Sequence, residues 1–247
     1  MSQPRTLGRL MTGTFVVLML ALAVACAWLG TWQLHRLAEK EALIAAVAER
    51  LHDAPIPVPP ADQWANLDLT DLNFRPVALT GAFRYNQTVT VFTSLANAHG
   101  TASGPGYWVV TPFVLNTGGT VFVNRGFIPE AMQEAAVTDA ESDTVQVTIT
   151  GLLRPAEEAG FITPAADTSN RIEWVRDPDR LAEMVDPAMA PFAPFYVDLP
   201  AGAPGDLPQG GETAITFPNN HLGYAYTWFG FAIVAVVMLG YWLLRQR

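Results

Sequence analysis

Hydrophobic positions along the chain fall into three patterns, each predicting a different kind of element. Thr14 to Leu34 and Leu222 to Leu244 are almost unbroken apolar runs of about 20 residues. A helix rises 1.5 Å per residue, so each run is long enough to cross the hydrocarbon core of a bilayer. Directly after the first run, Leu37, Leu43, Ile44, Val47 and Leu51 recur near the helical period, while Glu39, Lys40, Glu41, Glu49 and Arg50 fill other faces. That spacing predicts a helix from His35 to Leu51 that carries the first span straight out of the membrane. Ala54-Pro55-Ile56-Pro57-Val58-Pro59-Pro60 ends it, because each proline removes a donor and fixes φ.

From Asn73 the third pattern begins. Phe74 to Phe83, Thr88 to Thr93, Tyr107 to Leu115, Val121 to Phe127, Thr144 to Leu153, Arg171 to Val175 and Phe195 to Leu199 are short runs rich in Val, Thr, Phe and Tyr. Turn residues such as Asn116-Thr117-Gly118-Gly119 separate them, and a pair of the central runs forms a predicted hairpin. One helix, Pro178 to Met184, interrupts the strands, and the Gly- and Pro-rich stretch Ala201 to Gln209 reads as a mobile loop. The fold expected is an α+β membrane protein in which two transmembrane helices flank an antiparallel β-rich extramembrane domain, barrel- or sandwich-like. Its parts are a tail (1–13), a transmembrane helix (14–34), a β-rich domain with an N-terminal helix (35–221), a second transmembrane helix (222–244) and a tail (245–247).

Charge orients this arrangement. The two ends hold Arg5, Arg9, Arg245 and Arg247 and no acid, leaving 23 carboxylates against 10 Lys and Arg between the spans, a net −13. Short basic tails stay on the cytoplasmic side, so both termini are expected inside and the central domain outside. The N-terminal tail has two arginines and no long Arg- and Ser-rich leader, which points to a bacterial inner membrane, with the domain periplasmic. So acidic a domain argues against nucleic acid as a partner. Arg5, Arg9, the apolar run and Ala23-Val24-Ala25 resemble a cleavable signal, with Cys26 next. The run nevertheless continues through Trp28, Leu29 and Trp32, beyond a signal core, so the span is expected to be retained. Cys26 is the only cysteine, which excludes an internal disulfide and a CxxC metal site.

Candidate chemistry is sparse. The four histidines, His35, His52, His99 and His221, make no HxxxH or HExxH pair, and no GxSxG elbow, Walker loop or GxGxxG is present. Gly104-Pro105-Gly106 leads into a strand rather than a helix, so it reads as a turn and not a phosphate cradle. The outer ends of the spans stand out. Trp28, Trp32 and His35 or Arg36 fall on one ridge of the first helix, and His221, Tyr224 and Trp228 on one ridge of the second. Such rings serve as an aromatic belt in many membrane proteins. They also suit a haem: a neutral imidazole ligates iron, planar rings wall the macrocycle and Arg36 pairs with a propionate. Both readings remain open on these residues alone.

Five motifs in order narrow the choice. Leu29-Gly30-Thr31-Trp32-Gln33-Leu34-His35-Arg36 with Lys40, Phe74-Arg75-Pro76-Val77 with Gly81 and Phe83, Val109-Val110-Thr111-Pro112-Phe113, Val123-Asn124-Arg125-Gly126-Phe127-Ile128-Pro129, and Asn220-His221-Leu222-Gly223-Tyr224-Ala225-Tyr226-Thr227-Trp228-Phe229-Gly230 together resemble the surfeit locus protein family of cytochrome c oxidase assembly factors. The resemblance implies a membrane chaperone, not an enzyme, that binds haem a transiently and aids its insertion into the catalytic subunit of a haem-copper oxidase, alongside other assembly factors. It places the axial iron ligand at His221, and the ridge residues Tyr224, Trp228, Trp32 and Arg36 are then the candidates around the cofactor. Gln33, Asn124 and Arg125 are taken as partner or structural residues; for Arg125 a salt bridge or backbone contact competes with direct contact to haem or oxidase. Glu39 departs from the aromatic residue common at that place. The rival reading is an interaction scaffold that stabilises an oxidase intermediate without haem. A membrane-tethered hydrolase lacks a nucleophile, base and orienting group in any recognisable arrangement.

Overall fold

The computed structural model describes residues 4–138, 145–213, 217 and 219–246, with the backbone alone for residues 4–10 and 138. Thr144, which opens one of the strand runs, and Arg247 lie outside the described residues. The chain divides into two compact units, residues 1–46 with 216–247, and residues 47–215.

The first unit is a pair of helices. Helix α1 runs unbroken over Pro4–Arg50, about 70 Å at 1.5 Å per residue, more than twice the hydrocarbon thickness. The predicted span and the predicted helix after it are therefore one element. At the other end of the chain a 25-residue helix covers His221–Arg245. Both are long and apolar enough to cross a membrane. Their seam is built from small residues: Ala23, Cys26 and Gly30 on α1 and Ala225 and Ala235 on its partner are buried. Small side chains let two helix backbones approach closely where apolar burial offers little, since lipid tails are equally apolar.

The second unit is a barrel. After α1 come β1 (Ile56–Pro57), α2 (Leu69–Leu72), β2 (Pro76–Phe83), β3 (Val89–Leu95), β4 (Gly104–Leu115), β5 (Thr120–Pro129), α3 (Gln133–Thr138), β6 (Val147–Pro155), β7 (Ile172–Glu173), α4 (Pro178–Ala182) and β8 (Phe192–Asp198), before α5, the His221–Arg245 helix. All eight strands form one sheet in the order β1-β2-β6-β8-β5-β4-β3-β7, and an additional β2–β4 pairing closes the middle five into a barrel rather than a sandwich. Gly81 sits on that closing contact opposite Leu115; a Cβ there would fall 2.0 Å from the Val114 carbonyl oxygen.

The sheet is mixed, not wholly antiparallel. β5 and β8 run parallel, as do the short outer pairs β1–β2 and β3–β7. Parity explains the first: alternating directions cannot close around a ring of five, so one neighbouring pair must be parallel. Long β4 serves two roles, its first half pairing β3 and its end pairing β2. One core fills the barrel with Val77, Leu79, Phe113, Val123, Leu153 and Phe195, and a second lies outside it under α4 with Val91, Phe122, Phe127, Leu181 and Tyr196. Strands β4, β5 and β8 are thus covered on both faces, which is why their sequences read as continuous apolar runs.

Local chemistry sets the remaining pieces. α4 starts where Asp177 caps the Asp179 amide and Pro178 takes the first position. Phe74 holds the left-handed region at φ 62, a conformation costing about 1–3 kcal/mol for a bulky side chain. The stretch read as a mobile loop is tied at its end, where Gln209 and Phe127 exchange backbone hydrogen bonds of 2.8 Å in each direction.

Candidate functional site

His221, the first residue of α5, meets α1 through a polar contact: its Nδ1 lies 2.8 Å from Oε1 of Gln33. A carboxamide oxygen only accepts, so Nδ1 is the donor, and in the neutral imidazole the lone pair falls on Nε2. Gln33 therefore does for this imidazole what orienting acceptors do for metal-ligating histidines, fixing both tautomer and ring plane. Three residues before Gln33, Gly30 faces Phe229, whose ring would be 2.7 Å from a Cβ at that glycine. Lys40 lies over the Phe217 ring at 5.1 Å. Together these contacts define one end of the helix pair.

The residues of the two ridges are mostly exposed rather than packed into the seam. Of the residues on them, His221 alone makes the polar contact to the neighbouring helix; Trp28 and Trp32 are 66% and 46% exposed, and Tyr224 is 58% exposed. Trp228 is half-buried and stands edge-on to Phe231 at 6.2 Å. Trp32 lies one residue, about 100°, around the helix from Gln33. Arg36 pairs with Glu39 at 2.6 Å, both side chains more than half exposed. His35 is exposed. The result is one oriented imidazole at the seam with exposed aromatic rings beside it.

In the β-rich unit, Asn124 is structural. It is buried, its Nδ2 donates to Asp198 Oδ1 at 2.7 Å, and its Oδ1 accepts from the Gly126 amide at 3.1 Å. Arg125 makes no ion pair among the described residues; its guanidinium stacks on Tyr85 at 4.8 Å, and burial pushes its pKa down while Tyr85 acts in the opposite sense. Arg75 ties Asp53 at 2.6 Å.

Asp198 is the hub that sequence reasoning missed. Besides Asn124 it accepts from Thr213 Oγ1 at 2.9 Å, and Arg154 and Arg176 approach it at 3.6 and 3.5 Å. Arg154 also lies over Phe74 at 4.1 Å, and Arg176 stands 5.1 Å from both the Trp108 and Tyr196 rings. Burial alone would lower the Arg176 pKa; Tyr196, Asp198 and Glu157 outweigh it and raise it. Burial likewise pushes the Tyr196 phenol well above its usual range. The signal was present: a lone carboxylate inside the apolar run Phe195 to Leu199 has to be matched. A cavity of about 380 Å³ lies beside this hub, walled by Leu51, Pro76, Leu152, Leu199 and His99. His99 Nδ1 is 3.2 Å from the Gly211 carbonyl, and the His99 and Gly100 amides both donate to buried Glu212. Among the described residues no three His, Cys, Asp or Glu cluster as a metal site.

The sequence model of the SURF1 family matches residues 20–233. A SURF1-like protein of Monosiga brevicollis is 32% identical over 244 residues, covering 93% of this chain and 86% of that protein. Surfeit locus protein 1 of Rattus norvegicus is 31% identical over 214 residues, covering 82% and 67%. The Homo sapiens protein of the same name is 29% identical over 225 residues, covering 86% and 72%. These relatives are eukaryotic, and the family match includes both Gln33 and His221.

Proposed function

The chain belongs to the SURF1 family, and from that premise we propose that it is an assembly factor of a haem-copper oxidase. In this reading it holds haem a through His221 at the outer face of a bacterial inner membrane and passes it to the catalytic subunit. Both termini are cytoplasmic and the barrel is periplasmic, in keeping with the basic tails and the net charge of −13 between the spans.

The observation that carries the reading is the contact of His221 with Gln33 at 2.8 Å. In the neutral imidazole it directs the proton to Nδ1 and the lone pair to Nε2, the arrangement an imidazole needs to ligate iron. Haem supplies a flat apolar macrocycle, an iron with axial positions and two carboxylates. The exposed rings of Trp32 and Tyr224 and the half-buried ring of Trp228 suit the first. Arg36 suits the carboxylates, because its exposed pair with Glu39 is worth at most about 1 kcal/mol and exchanges readily. A single protein ligand suits a carrier, since the hold has to be weaker than that of the final site. No bond in the cargo is made or broken, so no catalytic residue is assigned.

The scaffold reading, in which the same surfaces stabilise an oxidase intermediate without cofactor, differs in one measurable respect. Absorbance spectra of the detergent-purified wild type, His221→Ala and His35→Ala, with circular dichroism as a check on folding, separate the two. Pigment in the wild type that is lost in His221→Ala and kept in His35→Ala supports haem carriage. Pigment unaffected by His221→Ala overturns it, and a colourless wild type from haem-replete cells favours the scaffold.

A further inference from the structure

The segment between β6 and β7 carries Phe161 and Ile162 at exposures of 105% and 90%, the highest of the described large apolar side chains. Burial of such side chains is worth about 1.5–3 kcal/mol each, so a loop free to fold back would cover them. This loop is fastened open. On its outgoing limb Arg176 donates to Glu157 from its amide at 2.9 Å, from Nε at 3.1 Å and from its terminal nitrogen at 2.5 Å, and the Glu157 amide donates to the Arg176 carbonyl at 3.2 Å. On the returning limb Trp174 Nε1 donates to the Ala165 carbonyl at 3.2 Å, and Arg180 donates to that of Pro164 at 3.3 Å. The tip is closed twice, by the Thr163 amide to the Gly160 carbonyl at 3.0 Å and by the Gly160 amide to Thr163 Oγ1 at 2.8 Å. Phe161 and Ile162 occupy the two central positions of that turn.

Two apolar side chains held outermost on a pinned turn enter a cleft with little ordering cost, the property that makes an interface anchor strong. We infer that this turn is a docking knob for a partner protein, seating in an apolar cleft rimmed by Lys or Arg. Resting on the function proposed above, that partner is the catalytic subunit of the oxidase. Charge selects the occupant. Residues 156–170 contain Glu157, Glu158 and Asp167 and no Lys or Arg, within a region of net −13. An anionic leaflet and a second copy of this chain both present like charge to it, whereas a cation-rimmed cleft presents the opposite sign.

The test places the photoreactive residue p-benzoylphenylalanine at position 161 of the full chain, co-expressed with the oxidase, and identifies the adduct by mass after irradiation of membranes. The expected product joins this chain to the oxidase catalytic subunit, and its yield falls about tenfold or more when Ile162→Asp is added. The turn is fully exposed, so circular dichroism of both variants should match the wild type. An adduct to lipid alone, to a second copy or to another protein, or no adduct, overturns the docking knob. Haem pigment is read in the same preparation: its presence without the subunit adduct sinks the knob and leaves carriage standing, while its absence with the adduct does the reverse.

Discussion

Gln33 and His221 lie 188 residues apart in sequence, yet the carboxamide oxygen of one accepts the Nδ1 proton of the other at 2.8 Å. This contact couples helix pairing to imidazole orientation. Gln33→Leu removes the acceptor while keeping the size of the side chain, so the ring loses both its fixed plane and its fixed tautomer. Orienting partners of this kind are worth about 10–100-fold in ligand affinity. Haem titration of the purified protein should show a loss in that range for Gln33→Leu and recovery in Gln33→Glu, whose carboxylate also accepts. Equal affinity in wild type and Gln33→Leu would remove the coupling.

Gly30 and Phe229 set how closely the helices approach. A methyl group on Gly30 would lie 2.7 Å from the Phe229 ring, whereas Gly13 and Gly240 have nothing within 4 Å. Overpacking of this sort costs about 1–3 kcal/mol, while a helical Gly→Ala change in open space stabilises by about 0.5–1 kcal/mol. Thermal unfolding in detergent is therefore expected to show Gly30→Ala below the wild type and Gly240→Ala at or above it. Adding Phe229→Leu to Gly30→Ala should restore most of the loss, as a coupled pair requires.

The sequence exposed the large features because they rest on run length and composition. Two spans of apolar residues, the Val- and Phe-rich strands and the proline stop after α1 each follow from one local rule. Pairing across long separations followed no such rule. The aromatic spacing of Trp28, Trp32 and Arg36 defines a ridge but not what the ridge faces. The packed face is chosen by the small residues Ala23, Cys26 and Gly30, and that choice brings Gln33 to His221. The parallel pairing of β5 with β8 follows only once five strands are known to close. The partners of Asp198 are illegible for the same reason: Asn124, Arg154, Arg176 and Thr213 come from four separate segments.

That hub makes a strong stability claim. Asp198 is 2% exposed and is approached by two guanidinium groups and two neutral donors. Asp198→Asn keeps the shape and removes the charge, leaving Arg154 and Arg176 with less compensation inside the fold. Breaking a buried pair from one side costs about 3–5 kcal/mol. Denaturant unfolding should show a loss of that order, against under about 0.5 kcal/mol for Asp206→Asn at an exposed loop position. A small loss at Asp198 would mean that solvent reaches the guanidiniums and screens them.

The same cluster bounds stability at both ends of the pH scale. For Glu157, burial acts to raise the carboxyl pKa, but the Arg176 guanidinium outweighs it and holds the group below its usual 4.5. A depressed acid contributes stability that is full above the unfolded value and is lost as pH falls through the folded one. Its share is therefore constant near neutrality and disappears below about pH 4.5. Tyr196 behaves oppositely, since burial raises its phenol above the usual 10.0. While the unfolded chain ionises and the native one does not, stability declines as pH rises past about 10. Burial raises Tyr107 too, with Glu130 adding to the shift, so Tyr196→Phe should shallow the alkaline limb without abolishing it. Glu157→Gln should shallow the acid limb and leave the alkaline one in place. Unfolding free energies measured at intervals from pH 3 to 11 on the wild type and both variants check this, and limbs unchanged by either substitution would assign the pH dependence to other groups.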